Sequence, residues 1–339
     1  MKSNQLSSAL NALLQQGAVM PAHPLALHED LTIDEARQRA LTNYYIASGA
    51  GGVAVGVHTT QFEIRKPGID LLEPVLKLAA EEIEKAGLDQ SFIKVAGICG
   101  PTDIALHEAE LAVKYGYHLG LISMGGLSSY SETALIERTK AIAEIIPVFG
   151  FYLQPAVGGR ILSYEFWRAF ADIPNVCAIK VAAFNRYQTF DVVRAVCNSE
   201  RCNEIALYTG NDDNIVADLL TPYQFIINDN LIEKRFVGGL LGHWAVWTKD
   251  AVELFYEIKH CIANNYTGTE KLLAKGIEVT DMNSAIFDSK NNFKGSIAGI
   301  HEVLRREGLL EGLWCLNPAE KLSPGQMEDI DRVCKTYHS

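Results

Sequence analysis

The sequence predicts an α/β chain that folds as a TIM (β/α)8 barrel and continues into a helical C-terminal extension. Eight short apolar runs recur before residue 241 with almost no apolar-polar alternation, which is typical of parallel strands covered on both faces. The segments between the runs carry the 3.6-residue period of amphipathic helices. Eight strand-helix units favour a barrel over a doubly wound open sheet.

The predicted strands cover residues 18–21, 52–55, 93–98, 119–122, 148–152, 177–181, 205–208 and 236–240. Intervening segments such as 72–86 and 131–145 place their charged residues on one helical face. The connection between Leu220 and Arg235 is longer than a barrel needs, and we interpret it as a short lid or an oligomer contact. Beyond residue 250 the pattern predicts four helices, at residues 250–264, 268–275, 293–307 and 324–336. The last opens with Ser323-Pro324 in the cap and first-turn positions.

Composition restricts the classes of partner and the compartment. The net charge of −11 argues against nucleic acid and anionic membrane surfaces, which require a basic protein surface. No apolar run approaches the length of a membrane span, so we expect neither export nor an anchor. The seven cysteines are odd in number and form no Cys-x-x-Cys pair, which indicates neither a disulfide framework nor a zinc ribbon and favours the cytoplasm.

Lys180 is the most informative residue, because it is a lone ammonium group in the apolar run 176–184. Burial there would lower its pKa, and a neutral amine can attack a carbonyl carbon to form a Schiff base. The alternative is a strand-end lysine that extends to water. Tyr152 ends the preceding apolar run and is followed by Pro155. One strand-helix-strand unit would bring both polar tips to the same end of the sheet.

This pairing resembles the dihydrodipicolinate synthase and N-acetylneuraminate lyase superfamily, the pyruvate-dependent class I aldolases. In that family a tyrosine three residues before a proline relays protons, and a strand-borne lysine forms an imine with a 2-oxo acid. Tyr152, Pro155 and Lys180 match these positions, so the resemblance implies Tyr152 and Lys180 as catalytic residues. It covers approximately residues 15–250. It also implies a barrel domain with an N-terminal helix at residues 1–250 and a helical region packed on it at residues 251–339.

Further segments match the family in the expected order, at residues 22–25, 55–60, 210–213 and 237–239. The resemblance therefore implies a substrate-binding set of His23, Thr59, Thr60, Gly210 and Gly238. Thr59 and Thr60 would hold a carboxylate through hydroxyl and backbone N–H groups; alternatively they only end a strand.

The histidines and carboxylates do not occur at the sequence spacings typical of metal ligands, so we expect no bound metal. The imine chemistry needs no organic cofactor either. His58 and His243 stay candidates for supporting roles around the site.

Three departures from the family pattern leave the second substrate open. Gln61-Phe62 replaces the usual Gly-Glu, and the substrate-binding arginine is displaced to Arg160, which we keep as a candidate. The family's Pro-Tyr-Tyr stretch is replaced by residues 124–130, in which Tyr130 is the only tyrosine. These changes make the mouth more apolar, so we expect poor condensation of pyruvate with aspartate semialdehyde.

The sequence thus predicts a cytoplasmic class I lyase or aldolase that acts on pyruvate or another 2-oxo acid, with an aldehyde as an optional second substrate. One alternative is a catalytically silent barrel that binds a small molecule. Another is a Schiff-base dehydratase or aldolase of sugar-acid catabolism. A barrel enzyme for phosphosugars would need a phosphate site that the sequence lacks. The resemblance implies a homodimer or homotetramer.

Overall fold

The computed structural model describes residues 5–88 and 90–338, and its central feature is a sheet of eight parallel strands. The barrel strands are β1 (Val19–Pro21), β2 (Gly52–Val55), β3 (Ile93–Ile98), β4 (Leu119–Ile122), β5 (Val148–Leu153), β6 (Val176–Ala182), β7 (Ala206–Thr209) and β10 (Phe236–Leu241), with the hairpin strands β8 (Tyr223–Ile227) and β9 (Asn230–Lys234) inserted before the last. Their order in the sheet is β1-β10-β7-β6-β5-β4-β3-β2. A parallel bridge between Ala22 and Ala54 brings the two edges together. The predicted TIM barrel is confirmed.

Helices connect the strands and follow them. They are α1 (Ser8–Gln16), α2 (Glu35–Ala47), α3 (Leu72–Lys85), α4 (Thr102–Lys114), α5 (Glu132–Ala143), α6 (Tyr164–Ala171), α7 (Arg186–Cys197), α8 (Ile215–Leu220), α9 (Thr248–Ala263), α10 (Thr269–Ile286), α11 (Ser296–Arg306) and α12 (Gln326–Tyr337). Polar N-caps define several helix starts: the Ser131 hydroxyl accepts from the Ala134 N–H, and the Asn185 amide oxygen accepts from two N–H groups of α7. Such caps satisfy donors that the helix itself cannot pair.

The core has two layers because side chains on a strand alternate between faces. One cluster fills the barrel interior and includes Met20, Phe149 and Phe151. The other lies between the sheet and the helices and includes Tyr152 and Trp167. Two consecutive residues of β5 therefore belong to different layers, which decides their access to the site described below.

The long connection before the last barrel strand is the antiparallel hairpin β8–β9. Phe225 of β8 lies against Phe190 of α7, with ring centroids 5.1 Å apart, so the hairpin lies on the outer helices. Ile226 and Leu231 near its turn are exposed. The oligomer-contact interpretation stays a prediction.

After residue 250 the chain is helical, as predicted. Helix α10 is longer than the predicted 268–275, and α12 begins at Gln326, two residues after the predicted start. Gly325 accounts for the latter, because its left-handed backbone (φ 81°) interrupts the helical conformation just before Gln326. The Gln326 side-chain amide then anchors the first turn by donating to the carbonyls of Ala285, Ile286 and Gly295. None of the described helices is long and apolar enough to cross a bilayer. The domain boundary near residue 250 stays a prediction.

Candidate active site

A small cavity opens among the carboxyl ends of the barrel strands, where functional residues of this fold collect. Its volume is about 50 Å³. The barrel supplies most of the wall. Phe287 and Phe293, between α10 and α11, and Ser296, the first residue of α11, supply the rest. The barrel residues of the wall are Ala22, Val57, His58, Thr59, Phe151, Leu153, Gln154, Val157, Lys180, Ala182, Phe184, Gly210, Asp212 and Gly242.

Lys180 lies in this cavity with its side chain 7% exposed. Its register partner on the neighbouring strand is Phe151, and its Nζ lies 4.4 Å from the centroid of that ring. Gly210 makes room for the lysine, since a Cβ added there would lie 2.5 Å from the Lys180 Cε. Among the described residues Lys180 takes part in no ion pair within 4 Å, and the carboxylate whose charge acts on it is Asp212. The lysine is therefore buried without a direct ion pair.

Burial lowers the pKa of Lys180, and the negative charge of Asp212 opposes that shift. A cation–π contact contributes about 0.5–2 kcal/mol, whereas burying an ion costs several kcal/mol, so desolvation dominates. A lowered pKa leaves a larger fraction of the amine neutral near pH 7 than for a surface lysine. The site thus contains an amine that is less basic than that of a surface lysine.

Asp212 is the carboxylate of the cavity, at the turn after β7. Its Oδ1 accepts a hydrogen bond of 3.0 Å from the backbone N–H of His243. Burial raises the pKa of Asp212, while this N–H group and the charge of Lys180 act in the opposite direction. A carboxyl group with a raised pKa can both accept and donate a proton near neutrality.

His58 supplies the third titratable group of the wall. Burial lowers its pKa to about 4, and the charge of Lys180 acts in the same direction. The imidazole is therefore neutral at physiological pH and serves as a hydrogen-bonding group. Its ring lies edge-on to Phe62, with centroids 5.9 Å apart.

Tyr152 does not reach the cavity. It is the neighbour of Phe151 on β5 and points to the opposite layer, where its ring stacks on Trp167 with centroids 5.3 Å apart. Its hydroxyl accepts a long hydrogen bond of 3.5 Å from the Leu162 N–H. The sequence spacing matched the family, but the pairing of Phe151 with Lys180 places Phe151 beside the amine. The expectation that Tyr152 relays protons is corrected on this ground.

The two threonines have different surroundings. Thr59 lines the cavity, and its hydroxyl donates to the His23 carbonyl at 3.2 Å. Thr60 is fully buried; its hydroxyl accepts from the N–H groups of Gly56 and Val57 and donates to the His23 carbonyl. Thr60 therefore stabilises the loop, with no free group for a substrate, contrary to the expectation from the sequence.

His23 and Gly238 also lie outside the cavity. The His23 imidazole is fully buried between the backbone oxygen of Pro24, at 2.8 Å, and the Thr42 hydroxyl, at 2.9 Å. A Cβ at Gly238 would contact the Ala18 backbone at 2.5 Å. Gly238 thus allows close packing in the first half of β10, and both substrate-binding expectations are corrected.

Arg160 is engaged by the backbone rather than by the cavity. Its Nη1 donates to the carbonyls of Leu127 and Tyr130 at 3.0 and 2.9 Å. The guanidinium therefore stabilises the loop after β4. Arg160 does not line the cavity. Of the eight predicted site residues, the structure brings Lys180, Thr59 and Gly210 together.

Several wall residues were not predicted. Asp212 lies in the segment 210–213 that the sequence marked, and an acidic residue directly after an apolar strand was the available signal. Gln154, a polar residue directly after the apolar strand β5, offered a comparable signal. Phe287, Phe293 and Ser296 come from the C-terminal region, and nothing in their local sequence indicates contact with the barrel mouth.

One group of potential metal ligands occurs among the described residues, formed by His28, Asp34 and Glu311. Arg37 already donates to Asp34 at 2.8 Å and contacts Glu311 at 3.4 Å. All four lie apart from the wall of the cavity. This arrangement is a surface ion cluster.

Fold and site place the chain among (β/α)8-barrel proteins whose ligand cavity lies at the carboxyl ends of the strands. No family model matches the chain. A 4-hydroxy-tetrahydrodipicolinate synthase from Azoarcus sp. (strain BH72) is 25% identical over 200 residues, which are 57% of this chain. The match spans 63% of that relative's length.

Solved structures extend the likeness to nearly the whole chain. Dihydrodipicolinate synthase from Oceanobacillus iheyensis has a TM-score of 0.76 at 16% identity and covers 96% of this chain and 98% of its own. N-acetylneuraminate lyase from Fusobacterium nucleatum, complexed with pyruvate, has a TM-score of 0.72 at 16% identity and covers 97% and 100%. These structures show that the chain shares the fold of dihydrodipicolinate synthases and N-acetylneuraminate lyases, in agreement with the resemblance seen in the sequence.

Proposed function

We propose that this protein is a class I lyase in which Lys180 forms an imine with pyruvate or another 2-oxo acid. The observation that carries the proposal is a buried, unpaired lysine with a lowered pKa in a small cavity at the barrel mouth. The likeness to a lyase solved with pyruvate supports the same assignment.

In the proposed reaction the neutral amine attacks the keto carbon, and loss of water leaves a protonated imine. The imine withdraws electrons from the adjacent bond, so a carbon–carbon or carbon–oxygen bond can break there. Asp212 replaces Tyr152 as the group that moves protons, since its raised pKa suits transfer near neutrality. Thr59, at the wall, would contact the substrate carboxylate.

The distal part of the substrate would lie in a neighbouring vestibule of about 310 Å³, which shares His58, Val157 and Phe293 with the cavity. Amide and carboxylate side chains dominate its polar wall, namely Gln61, Glu63, Asn292, Asn317 and Glu320, with Lys294 as the cation. Such groups suit hydroxyls better than a second carboxylate. A dehydratase or aldolase of a hydroxylated 2-oxo acid is therefore our favoured form of the proposal, and aspartate semialdehyde should be a poor acceptor.

Borohydride trapping tests the proposal. We expect one reduced adduct with pyruvate or a hydroxylated 2-oxo acid, seen by intact mass and mapped to Lys180. Lys180→Gln should abolish it. Lys94→Gln is the matched control, since Lys94 also lies on a barrel strand with a pKa lowered by burial, and it should leave labelling unchanged.

Labelling at Lys94, or at scattered lysines only, would contradict the proposal. Binding of a 2-oxo acid without an adduct would favour the catalytically silent barrel. The homodimer or homotetramer implied by the resemblance, and a location in the cytoplasm, belong to the proposal and are open to ultracentrifugation and fractionation.

A further inference from the structure

A second cavity lies outside the barrel mouth, between the last barrel connection and the C-terminal helices. We call it the C-terminal cavity; its volume is about 210 Å³. The short 3₁₀ helix His243–Ala245 and helices α8, α9, α10 and α12 enclose it. It is more than four times the size of the Lys180 cavity. The two walls have no described residue in common, but the backbone N–H of His243, which lines the C-terminal cavity, donates to Asp212 in the wall of the Lys180 cavity.

Aromatic rings form much of its wall. Trp244, Trp247 and Tyr337 line it. The Trp247 ring stacks on the His338 imidazole, with centroids 4.0 Å apart and an interplanar angle of 15°. The π faces of tryptophan and tyrosine attract cations, tryptophan most strongly.

Carboxylates are in excess at the same cavity. Asp250, Glu253 and Glu257 of α9 line it, against Lys275 of α10. Lys275 is already paired with Glu278 at 2.9 Å, and Asp250 contacts the His338 imidazole at 3.3 Å. The wall therefore combines a net negative charge with aromatic faces.

His243 adds an independent observation. Its side chain is 5% exposed, lines the cavity, and carries an Nδ1 atom with no hydrogen-bond partner among the described residues. A buried polar atom without a partner costs free energy, and a ligand that supplies the missing hydrogen bond would recover it.

We propose that the C-terminal cavity binds an organic ammonium ion whose apolar part lies against the tryptophans. The charge would be attracted by the carboxylates and the aromatic faces, and an N–H group would have His243 as an acceptor. Occupancy of the cavity would also affect Lys180, an effect that rests on the proposed function. The backbone N–H of His243 donates to Asp212, so occupancy of this cavity would alter the field at Lys180.

Tryptophan fluorescence and calorimetry test binding directly, since two of the four tryptophans line the cavity. The probe is benzylammonium, compared with its uncharged isostere benzyl alcohol. We expect the ammonium to bind at least about tenfold more tightly, as a cation–π contact reinforced by carboxylates would give. Equal affinity of the alcohol would overturn the proposal.

Variants locate the site. Asp250→Asn with Glu253→Gln should weaken benzylammonium about tenfold. Glu253→Gln alone should also weaken it, and this variant leaves the Asp250–His338 contact intact. Glu270→Gln is the matched control, an exposed carboxylate on α10 outside the cavity wall. The same loss in this control would overturn the site.

The consequence for Lys180 has its own readout. Benzylammonium should shift the pH midpoint of pyruvate labelling in the wild type and not in the double variant. Binding without a shift would overturn the coupling. If no labelling occurs at any pH, the proposed function fails while the fluorescence result still decides the cavity.

Discussion

At the scale of single residues, the position of a side chain on its strand decides its role. Phe151 and Tyr152 are neighbours in sequence, yet one lies beside the Lys180 ammonium and the other packs on Trp167. Asp212 is the carboxylate near the amine, although the sequence pointed to a phenol. Two predictions separate these assignments.

Tyr152→Phe should retain turnover. The phenol lies in the outer layer of the core, and its single long hydrogen bond is to the Leu162 N–H. Removal of a positioned acid–base group costs about 10²–10⁴-fold in rate, so a loss well below a hundredfold is expected here. The measurement is steady-state kinetics with a 2-oxo acid that borohydride trapping has identified as a substrate. A hundredfold loss in a variant that melts like the wild type would restore Tyr152 as the proton relay.

Asp212→Asn should lower turnover by about 10²–10⁴-fold, because it removes the proposed proton carrier. It should also change labelling, since the Asp212 charge raises the pKa of Lys180. Imine formation needs the neutral amine and therefore increases with pH through that pKa. Without the carboxylate, the midpoint should move to lower pH. An upward or absent shift, measured by labelling rate against pH, would contradict the proposed electrostatics. Asp213→Asn, beside it in the chain, is the control.

At the scale of elements, the barrel mouth is completed from two parts of the chain. The barrel presents Lys180 on β6 and Gly210 just after β7, while Phe287, Phe293 and Ser296 close the cavity from the end of α10 to the start of α11. Phe293 lies edge-on to Phe184, with ring centroids 5.6 Å apart. The closure excludes water, and exclusion of water is what lowers the lysine pKa.

Phe293→Ala should admit water and move the pKa of Lys180 toward its ordinary value. The pH midpoint of borohydride labelling should therefore rise, and labelling at pH 7 should slow. Phe190→Ala is the matched control, because Phe190 packs on the hairpin at the outside of the barrel. An unchanged midpoint in Phe293→Ala, with the fold intact by circular dichroism, would show that the C-terminal segment does not control the site.

At the scale of the whole molecule, buried titratable groups link stability to pH in opposite directions. Burial lowers the pKa of His301 to about 4. The unfolded chain, with a histidine pKa near 6.5, then binds more protons, so this group destabilises the fold as pH falls from about 6.5 to 4. Burial raises the pKa of Glu320 to about 7. Glu320 is protonated when folded and ionised when unfolded between about pH 4.5 and 7, so it stabilises the fold on acidification.

Replacing His301 and replacing Glu320 should change the dependence of Tm on pH in opposite directions. His301→Gln should reduce the fall of Tm between pH 6.5 and 4.5, because unfolding no longer exposes a histidine that takes up a proton. Glu320→Gln should steepen it over the same range. Calorimetric melting at half-unit pH steps measures both slopes. Slopes that change in the same direction would contradict the assigned burial effects.

Local pattern was sufficient for the fold of this chain. Parallel strands covered on both faces must be apolar without alternation, so eight such runs separated by amphipathic segments predicted the barrel. Lys180 could be singled out from the sequence because it is the one charged residue in the apolar run 176–184. The end of α10 was not predicted, because its last carbonyls accept hydrogen bonds from the Gln326 side chain about 40 residues away in sequence. The start of α12 was not predicted either, because it depends on the left-handed conformation that Gly325 adopts in the fold.

The sequence by itself determined the barrel and the lone amine of β6, since both follow from the pattern of apolar residues along short segments. The tertiary structure alone decided which polar groups face that amine. A shift of one residue on a strand moves a side chain to the other face, and for this reason Tyr152 faces the outer layer instead of the amine. His23, Thr60 and Arg160 form hydrogen bonds within the protein, away from the amine. The cavity wall from residues 287–296 and the C-terminal cavity arise from contacts between distant segments, which no local pattern encodes.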